Sequence, residues 1–119
     1  MFINCSNHRS KDWNETQYRE AEKYGKIIDI PFPIIDPRMS DQEMNDRVEY
    51  YYNSIIQYDH PVIMVQGEFV FTYRLVKRLK KNGLRVVAAC SERKTIESVN
   101  EKGTTLKSSE FVFVKFRDY

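Results

Sequence analysis

Residues 61–69 read Pro61-Val-Ile-Met-Val-Gln-Gly-Glu-Phe69, and this stretch decides the fold. The apolar run Val62–Val65 predicts a buried strand that stops at a polar, glycine-containing turn. A helix then begins, with apolar positions at Phe69, Thr72, Tyr73, Val76 and Leu79. The helix is expected to end at Asn82-Gly83. A buried strand followed directly by a helix is typical of a parallel α/β sheet.

Two more strand–helix units precede this stretch. Phe2–Cys5 is a predicted strand, followed by a helix from Asp12 or Trp13 to Tyr24 with Trp13, Gln17, Ala21 and Tyr24 on one stripe. Lys26–Ile30 is the second strand, which Pro31-Phe32-Pro33 interrupts because proline donates no hydrogen bond. Ser40 and Glu43 form a capping box, with Met39 and Met44 as a hydrophobic staple, and Met44, Val48, Tyr51 and Ile55 form the buried face.

The spacing of apolar residues changes from a helical to a strand-like pattern after the third strand–helix unit. Leu84–Ala89 is a predicted fourth strand that opens into Cys90-Ser-Glu-Arg93. Thr95–Asn100 and Thr104–Lys107 resemble a hairpin around a glycine-containing turn, and Glu110–Phe116 alternates as a half-buried strand does. We therefore expect one domain over residues 1–119: a Rossmann-like, three-layer α/β fold with a mostly parallel sheet and a C-terminal antiparallel β extension.

The bulk composition excludes several classes of protein. The chain has 119 residues, of which 41% are hydrophobic, and a net charge of +2, too small to indicate polyanion binding by itself. No apolar run approaches the roughly 18–20 residues that cross a bilayer. We expect a cytoplasmic protein without a metal or cofactor, in which Cys5 and Cys90 are free thiols.

The functional residues are expected where polar segments follow predicted strands. These segments are Ser6-Asn7-His8, Pro31-Phe32-Pro33, Gln66-Gly67-Glu68 and Ser91-Glu92-Arg93. Parallel pairing would gather all of them at the carboxyl edge of the sheet, where open α/β folds bind ligands. Each segment can also be an ordinary turn or helix-entry loop, and both interpretations stay open.

Single side chains in these segments suggest particular chemistry. His8 could shuttle a proton near neutral pH, and Glu68 could contact a ligand, act as a general base or favour the helix dipole. Arg93 could neutralise a phosphate or stabilise a pentavalent transition state, or pair with Glu92 or Glu68. Thr72 can reach the mouth of such a site, whereas Tyr73 is expected in the core.

The same segments resemble a known group of proteins. Ser6-Asn7-His8, Ile28-Asp-Ile-Pro-Phe-Pro33, Gly67-Glu68-Phe69 with Thr72-Tyr73, Ser91-Glu92-Arg93 and Phe113-Val-Lys-Phe-Arg117 look like the small accessory proteins encoded beside type III CRISPR systems. That group is related by fold to the CRISPR-associated Rossmann-fold (CARF) sensor domains. The resemblance spans nearly the whole chain, although its motifs are short.

The resemblance implies a homodimer that binds a cyclic oligoadenylate, usually the tetra-adenylate, across its two-fold axis. Such proteins damp antiviral signalling by sequestering the ring or by cleaving it without a metal, as ring nucleases do, through attack of a 2′-hydroxyl on the adjacent phosphate. The candidate catalytic residues are then His8, Glu68 and Arg93, and the candidate ligand-binding residues are Ser6, Asn7, Phe32, Gln66, Gly67, Phe69, Thr72 and Ser91. No membrane or DNA binding is expected.

Two other functions fit the same residues. A small nucleoside or nucleotide enzyme of the deoxyribosyltransferase kind would use Glu68 as its nucleophile. A non-enzymatic interaction module would instead display its tyrosines and its basic helix to a protein partner. Base exchange with free nucleosides would favour the former, and a monomeric state would favour the latter over a symmetric ring-binding protein.

Overall fold

The computed structural model describes residues 1–119. It contains five strands and three helices. The strands are β1 (Phe2–Ser6), β2 (Ile27–Asp29), β3 (Val62–Gln66), β4 (Arg85–Val99) and β5 (Thr105–Asp118). The helices are α1 (Glu15–Glu22), α2 (Asp41–Ile55) and α3 (Phe69–Lys81), and a short 3-10 turn spans Ser10–Asp12.

All five strands form one sheet in the order β2-β1-β3-β4-β5. The first four strands are parallel, and β5 runs antiparallel to β4 along the sheet edge. The pairing of β1 with β3 extends over the whole of both strands, from Phe2–Val62 to Ser6–Gln66. This topology confirms the predicted Rossmann-like α/β fold with its C-terminal antiparallel extension.

Helices cover both faces of the parallel strands, so the protein has three layers. On one face, α2 and α3 pack their apolar residues on Ile3, Ile63, Val65 and their neighbours. On the other face, Ala21 of α1 packs with Phe2, Met64 and Val87, together with Trp13 and Tyr24. Every residue of β1 and the three middle residues of β3 are buried between these layers, so the two strands lie in the centre of the sheet.

The helix boundaries follow from capping. The Ser40 hydroxyl accepts from the Glu43 backbone N–H, and the Glu43 carboxylate accepts from the Ser40 N–H, which confirms the capping box of α2. The start of α1 lies later than predicted, because Asn14 is its N-cap and Trp13 ends the preceding 3-10 turn.

Of the apolar positions predicted for α3, only Val76 and Leu79 are buried, and Tyr73 is not in the core as expected. The buried residues of α3 are Phe71, Leu75, Val76 and Leu79. Phe69 and Tyr73 are instead 88% and 66% exposed. Either set of residues could form the buried side of a helix with a 3.6-residue period, because α3 is apolar around most of its first two turns. None of the helices combines the length and the apolar character that crossing a bilayer requires.

The largest departure from prediction is in β4, which does not end at Ala89. It is 15 residues long, extends to Val99 and pairs with β5 as one long hairpin that turns near Gly103 (φ +77°). The part of this hairpin from Glu92 to Val112, here called the arm, projects beyond the parallel strands. The Cα radius of gyration is accordingly 17.3 Å, against about 13–14 Å for a compact domain of this length.

Candidate functional site

A cleft of about 590 Å³ lies at the carboxyl edge of the sheet, on the face that α1 covers. Residues from β1, β3, β4 and β5 and from the segment entering α1 line it. They are Ser6, His8, Asp12, Trp13, Asn14, Gln17, Met64, Gln66, Ala89, Ser91, Phe111 and Phe113. Its walls therefore combine aromatic rings with hydroxyl and amide groups.

The position of the cleft follows from the topology. The chain leaves β1 for α1 on one face of the sheet, and it leaves β3 for α3 on the opposite face. The segments that follow the paired strands β1 and β3 thus diverge to opposite faces of the sheet, and this switch point is where open α/β sheets bind ligands. Ser6 and Gln66, the paired last residues of the two strands, lie at the bottom of the cleft.

A hydrogen-bond network holds the loop that carries His8. The amide of Asn4, which is 2% exposed, donates to the His8 carbonyl (2.8 Å) and to Asp29 Oδ1 (2.9 Å). The Ser6 hydroxyl donates to Asn4 Oδ1 (2.6 Å) and accepts from the His8 N–H (3.2 Å). Asp29 also accepts from the Ser10 hydroxyl (3.0 Å). The backbone of the cleft wall is therefore fixed before any ligand binds.

A second set of side-chain bonds closes the gap between β3 and β4. Their ladder ends at Met64–Val87, and beyond it the Gln66 amide accepts from the Ala89 N–H (2.6 Å) and donates to the Ala89 carbonyl (3.3 Å). The Tyr119 hydroxyl donates to the Val65 carbonyl (2.6 Å). Gln66 is thus held by backbone groups, and its role in the cleft is to shape it.

Of the predicted site residues, the structure brings Ser6, His8, Gln66 and Ser91 together in the cleft. Sequence reasoning missed the aromatic wall formed by Trp13, Phe111 and Phe113. Trp13 was assigned to a buried helix stripe. Phe111 and Phe113 lie within the predicted half-buried strand Glu110–Phe116, but nothing in the sequence indicates that their face of it turns toward α1.

Glu68, Gly67 and Phe32 lie outside the cleft and have structural surroundings. Glu68 caps α3, and its carboxylate oxygens accept from the N–H groups of Val70 and Phe71 (both 2.8 Å). A Cβ on Gly67 would lie 2.3 Å from the Phe32 ring, which packs edge-on against Phe71. Glycine is therefore required here for space, so that Phe32 can cover the start of α3.

The remaining predicted residues are dispersed. Arg93 does not follow a strand end, because β4 continues through it. It lies in the arm, its guanidinium is 5.5 Å from the centre of the Phe111 ring, and it forms neither predicted ion pair, since Glu92 contacts Lys94 (3.4 Å). Asn7 and Phe69 are exposed outside the cleft. Thr72 is half-buried, and its hydroxyl has no hydrogen-bond partner.

Both cysteines are free, as predicted. Cys5 lies next to the cleft-forming strand ends but on the opposite face, in the core beneath α2 and α3. Burial raises the pKa of its thiol to about 12. The thiol therefore stays protonated at physiological pH, and it lacks the thiolate character that a nucleophile needs.

Fold and cleft together define an α/β protein with an aromatic and amide-lined cleft at the β1–β3 switch point. A family model described as "Uncharacterized protein MJ1673 family" matches residues 1–117, so the chain belongs to that family. No curated protein and no solved structure matches the chain.

Proposed function

We propose that this protein is a cytoplasmic homodimer that binds a cyclic oligoadenylate, cyclic tetra-adenylate in particular, and damps type III CRISPR signalling by sequestering it. One observation carries the proposal: the switch-point cleft presents aromatic rings and the side-chain amide of Gln17, the combination that recognises nucleobases. The cyclic form of the ligand comes from the sequence resemblance, and the base-binding chemistry comes from the cleft.

The aromatic wall supports binding of the base. Stacking of a base on an aromatic side chain contributes about 1–3 kcal/mol, and Trp13, Phe111 and Phe113 all line the cleft. Phe111 is 70% exposed, so its ring is accessible to a ligand. Arg93, close to that ring, supplies a positive charge at the rim that a phosphate would favour.

Adenine is the base that best suits the amide groups. Glutamine and asparagine can bond to the N6 and N7 atoms of adenine in a bidentate manner. Asn14 is already used as the N-cap of α1, but the Gln17 amide contacts only Met64 Sδ, at 3.9 Å. Gln17 is therefore the side chain that we assign to the adenine edge.

The size of the cleft favours a two-fold assembly. A volume of about 590 Å³ is that of a pocket for one small molecule, within the usual range of about 300–1,000 Å³. A ring of four nucleotides needs more than one such cleft. Two protomers related by a two-fold axis would each hold part of the ring.

Sequestration accounts for the geometry better than cleavage does. Cleavage would require a group that takes the proton from the attacking 2′-hydroxyl while the 5′-oxygen leaves and a 2′,3′-cyclic phosphate forms. His8 is the imidazole at the cleft and could take that proton. The Glu68 carboxylate caps a helix instead, so any slow cleavage would depend on His8.

Titration calorimetry in metal-free buffer tests the proposal, with cyclic tetra-adenylate compared against linear tetra-adenylate and AMP. We expect the cyclic ligand to bind most tightly. Phe111→Ala should weaken binding about 10-fold or more through lost stacking. Tyr50→Ala, which removes an exposed aromatic ring of α2 far from the cleft, is the matched control.

Chromatography of the same mixtures separates binding from turnover. If linear products form, His8→Ala should abolish them while leaving the affinity within a few-fold. Equal affinity of the wild type for the cyclic ligand and for AMP, or no binding of either, would refute the proposal.

A further inference from the structure

Two exposed apolar surfaces lie at the same end of the molecule. The first, here called the α3 stripe, consists of Phe69, Val70 and Tyr73, which are 88%, 45% and 66% exposed. Spacings of three and four residues place them on one side of α3, at its first turn. Because α3 starts where β3 ends, this stripe lies at the carboxyl edge of the sheet.

The second surface is on the arm, which continues β4 beyond the same edge. Residues of β4 alternate between faces, and Val87 packs under α1 while Ser91 lines the cleft. The even-numbered residues from Glu92 onward therefore point to the α2–α3 side of the sheet. Together with their partners on β5 they form the outer face of the arm: Glu92, Lys94, Ile96, Ser98, Leu106, Ser108, Glu110 and Val112.

An isolated two-stranded ribbon is only marginally stable in water. The arm nonetheless has features that maintain its register, with Lys94 opposite Glu110 and Glu97 opposite Lys107. Ile96 and Leu106 are 43% and 49% exposed, and no element of their own chain covers them. A ribbon whose register is maintained while Ile96 and Leu106 on its outer face stay uncovered indicates that another surface packs on the arm.

We propose that this surface belongs to a second copy of the chain, and that the arm of each copy lies with its outer face on the α3 stripe of the other. The contact is reciprocal, so each copy contributes one arm and one stripe to a closed two-fold dimer. No nucleotide is needed to form it, so it can be tested separately from ligand binding.

Charge favours a copy of the same chain over a nucleic acid or a membrane. Residues 92–112 contain four acidic and four basic side chains, so the arm has no net charge. On α3, Arg74 and Arg78 pair with Asp41 and Glu49 of α2. Lys77 continues the α3 stripe one turn beyond Tyr73 and is left exposed. Glu110, on the outer face of the arm, is the complementary charge that we assign to it.

The area of the contact supports a reciprocal arrangement. The arm is about 30 Å long, from roughly nine residues per strand at about 3.3 Å each. One face of such a ribbon is too small for a stable dimer, which buries about 800 Å² per partner. Because each copy both gives an arm and receives one, the reciprocal contact doubles the area that each copy buries.

Sedimentation velocity on the nucleotide-free chain, over a range of concentrations, tests the dimer. The wild type should sediment as a dimer. Ile96→Glu with Leu106→Glu should weaken dimerisation about 100-fold or more, and so should Phe69→Glu with Tyr73→Glu. Val99→Glu, which charges an exposed apolar residue on the opposite face of the arm, is the matched control and should stay dimeric.

Mixing the two monomeric variants identifies the contact. The stripe variant (Phe69→Glu with Tyr73→Glu) retains a normal arm, and the arm variant (Ile96→Glu with Leu106→Glu) retains a normal stripe. The mixture therefore has one intact contact and should associate more weakly than the wild type but more strongly than either variant alone. Likewise, Glu110→Lys should weaken the dimer, and Lys77→Glu in the same chain should restore it. Circular dichroism confirms that each variant is folded.

Three results would overturn the proposal. One is a wild type that stays monomeric at all concentrations. Another is a stripe variant that dimerises as the wild type does, because the arms would then contact each other or a different surface. The third is a mixture of folded arm and stripe variants that associates no more strongly than either variant alone.

Discussion

The centre of the sheet and the arm are built from the same backbone ladder, but they are stabilised differently. In the centre, Phe2, Ile3, Ile63 and Val65 are fully buried between helices on both faces. In the arm, the β4–β5 ladder continues as regularly, yet nearly every side chain is exposed. A backbone hydrogen bond gained in folding replaces one to water and contributes little net stability, whereas buried apolar area contributes about 25 cal/mol per Å². Strand pairing therefore determines the shape of the arm but contributes little to its stability.

The cleft lies at the boundary between these two regions. Ser6 and Gln66 come from the rigid centre, whereas Phe111 belongs to the arm and Phe113 lies at its root. A β-bulge between Cys90 and Ser91 shifts the register of β5 at this point. Phe113 and Phe116 consequently lie on the same face, with their ring centres 4.9 Å apart. In the proposed dimer, a ligand would thus contact one wall from the buried centre of the sheet and one from the arm that packs on the partner.

The difference in burial between the centre of the sheet and the arm should have its largest effect on the free energy of unfolding. Leu75→Ala, in the fully buried face of α3, should lower the free energy of unfolding by about 2–5 kcal/mol through lost burial and a cavity. Leu106→Ala, the same change in the arm, should cost less than about 0.5 kcal/mol at dilutions where the chain is monomeric. Urea unfolding measures both, and equal losses would show that the arm is packed within its own chain.

A smaller effect is expected from alkaline pH. The folded state raises the pKa of Cys5 from 9.0 to about 12 by burial, so the unfolded thiol loses its proton first. The contribution of the Cys5 thiol to the free energy of unfolding is fully present below pH 9 and is lost as pH rises from 9 to 12. The loss is about 2 kcal/mol at pH 10.5.

Urea unfolding at several pH values measures this loss. Cys5→Ala should remove that part of the pH dependence, although the variant is less stable at neutral pH. If the free energy of unfolding of Cys5→Ala falls with pH as steeply as that of the wild type, the alkaline loss comes from other groups. Tyr119 is one such group, because burial raises its pKa as well.

The smallest of these effects concerns the cap of α3. Glu68→Ala removes an acceptor for the Val70 and Phe71 N–H groups and should cost about 1 kcal/mol, with no change in affinity for cyclic tetra-adenylate. Thermal unfolding and calorimetry measure these quantities. Glycosidic cleavage of nucleosides by the wild type, abolished in this variant, would instead favour the deoxyribosyltransferase alternative.

Much of the central region could be predicted from local patterns. The capping box at Ser40 and Glu43, the buried run at Val62–Val65 and the stop at Gly83 are set by neighbouring residues, and each appears as expected. The buried side of α3 was less predictable, because Phe69 and Phe71 are equally apolar and only the packing on α2 and the sheet decides between them.

Less of the candidate site could be predicted. Ser6, His8 and Gln66 were found because parallel strands bring their carboxyl ends to one edge. Glu68 and Arg93 were placed beside them on the assumption that every polar segment at that edge points inward. The carboxylate of Glu68 turns back to its own helix, and Arg93 is carried away by the continuing strand.

The chain alone determined the alternation of strands and helices, and with it the parallel sheet and the edge where its polar ends meet, because those depend on periodicity and capping over a few residues. Only the tertiary structure decided that β4 and β5 extend into an arm, that Trp13 and Phe111 share one cleft, and which side of α3 is exposed. These features depend on contacts between residues distant in sequence, and no local pattern specifies their geometry.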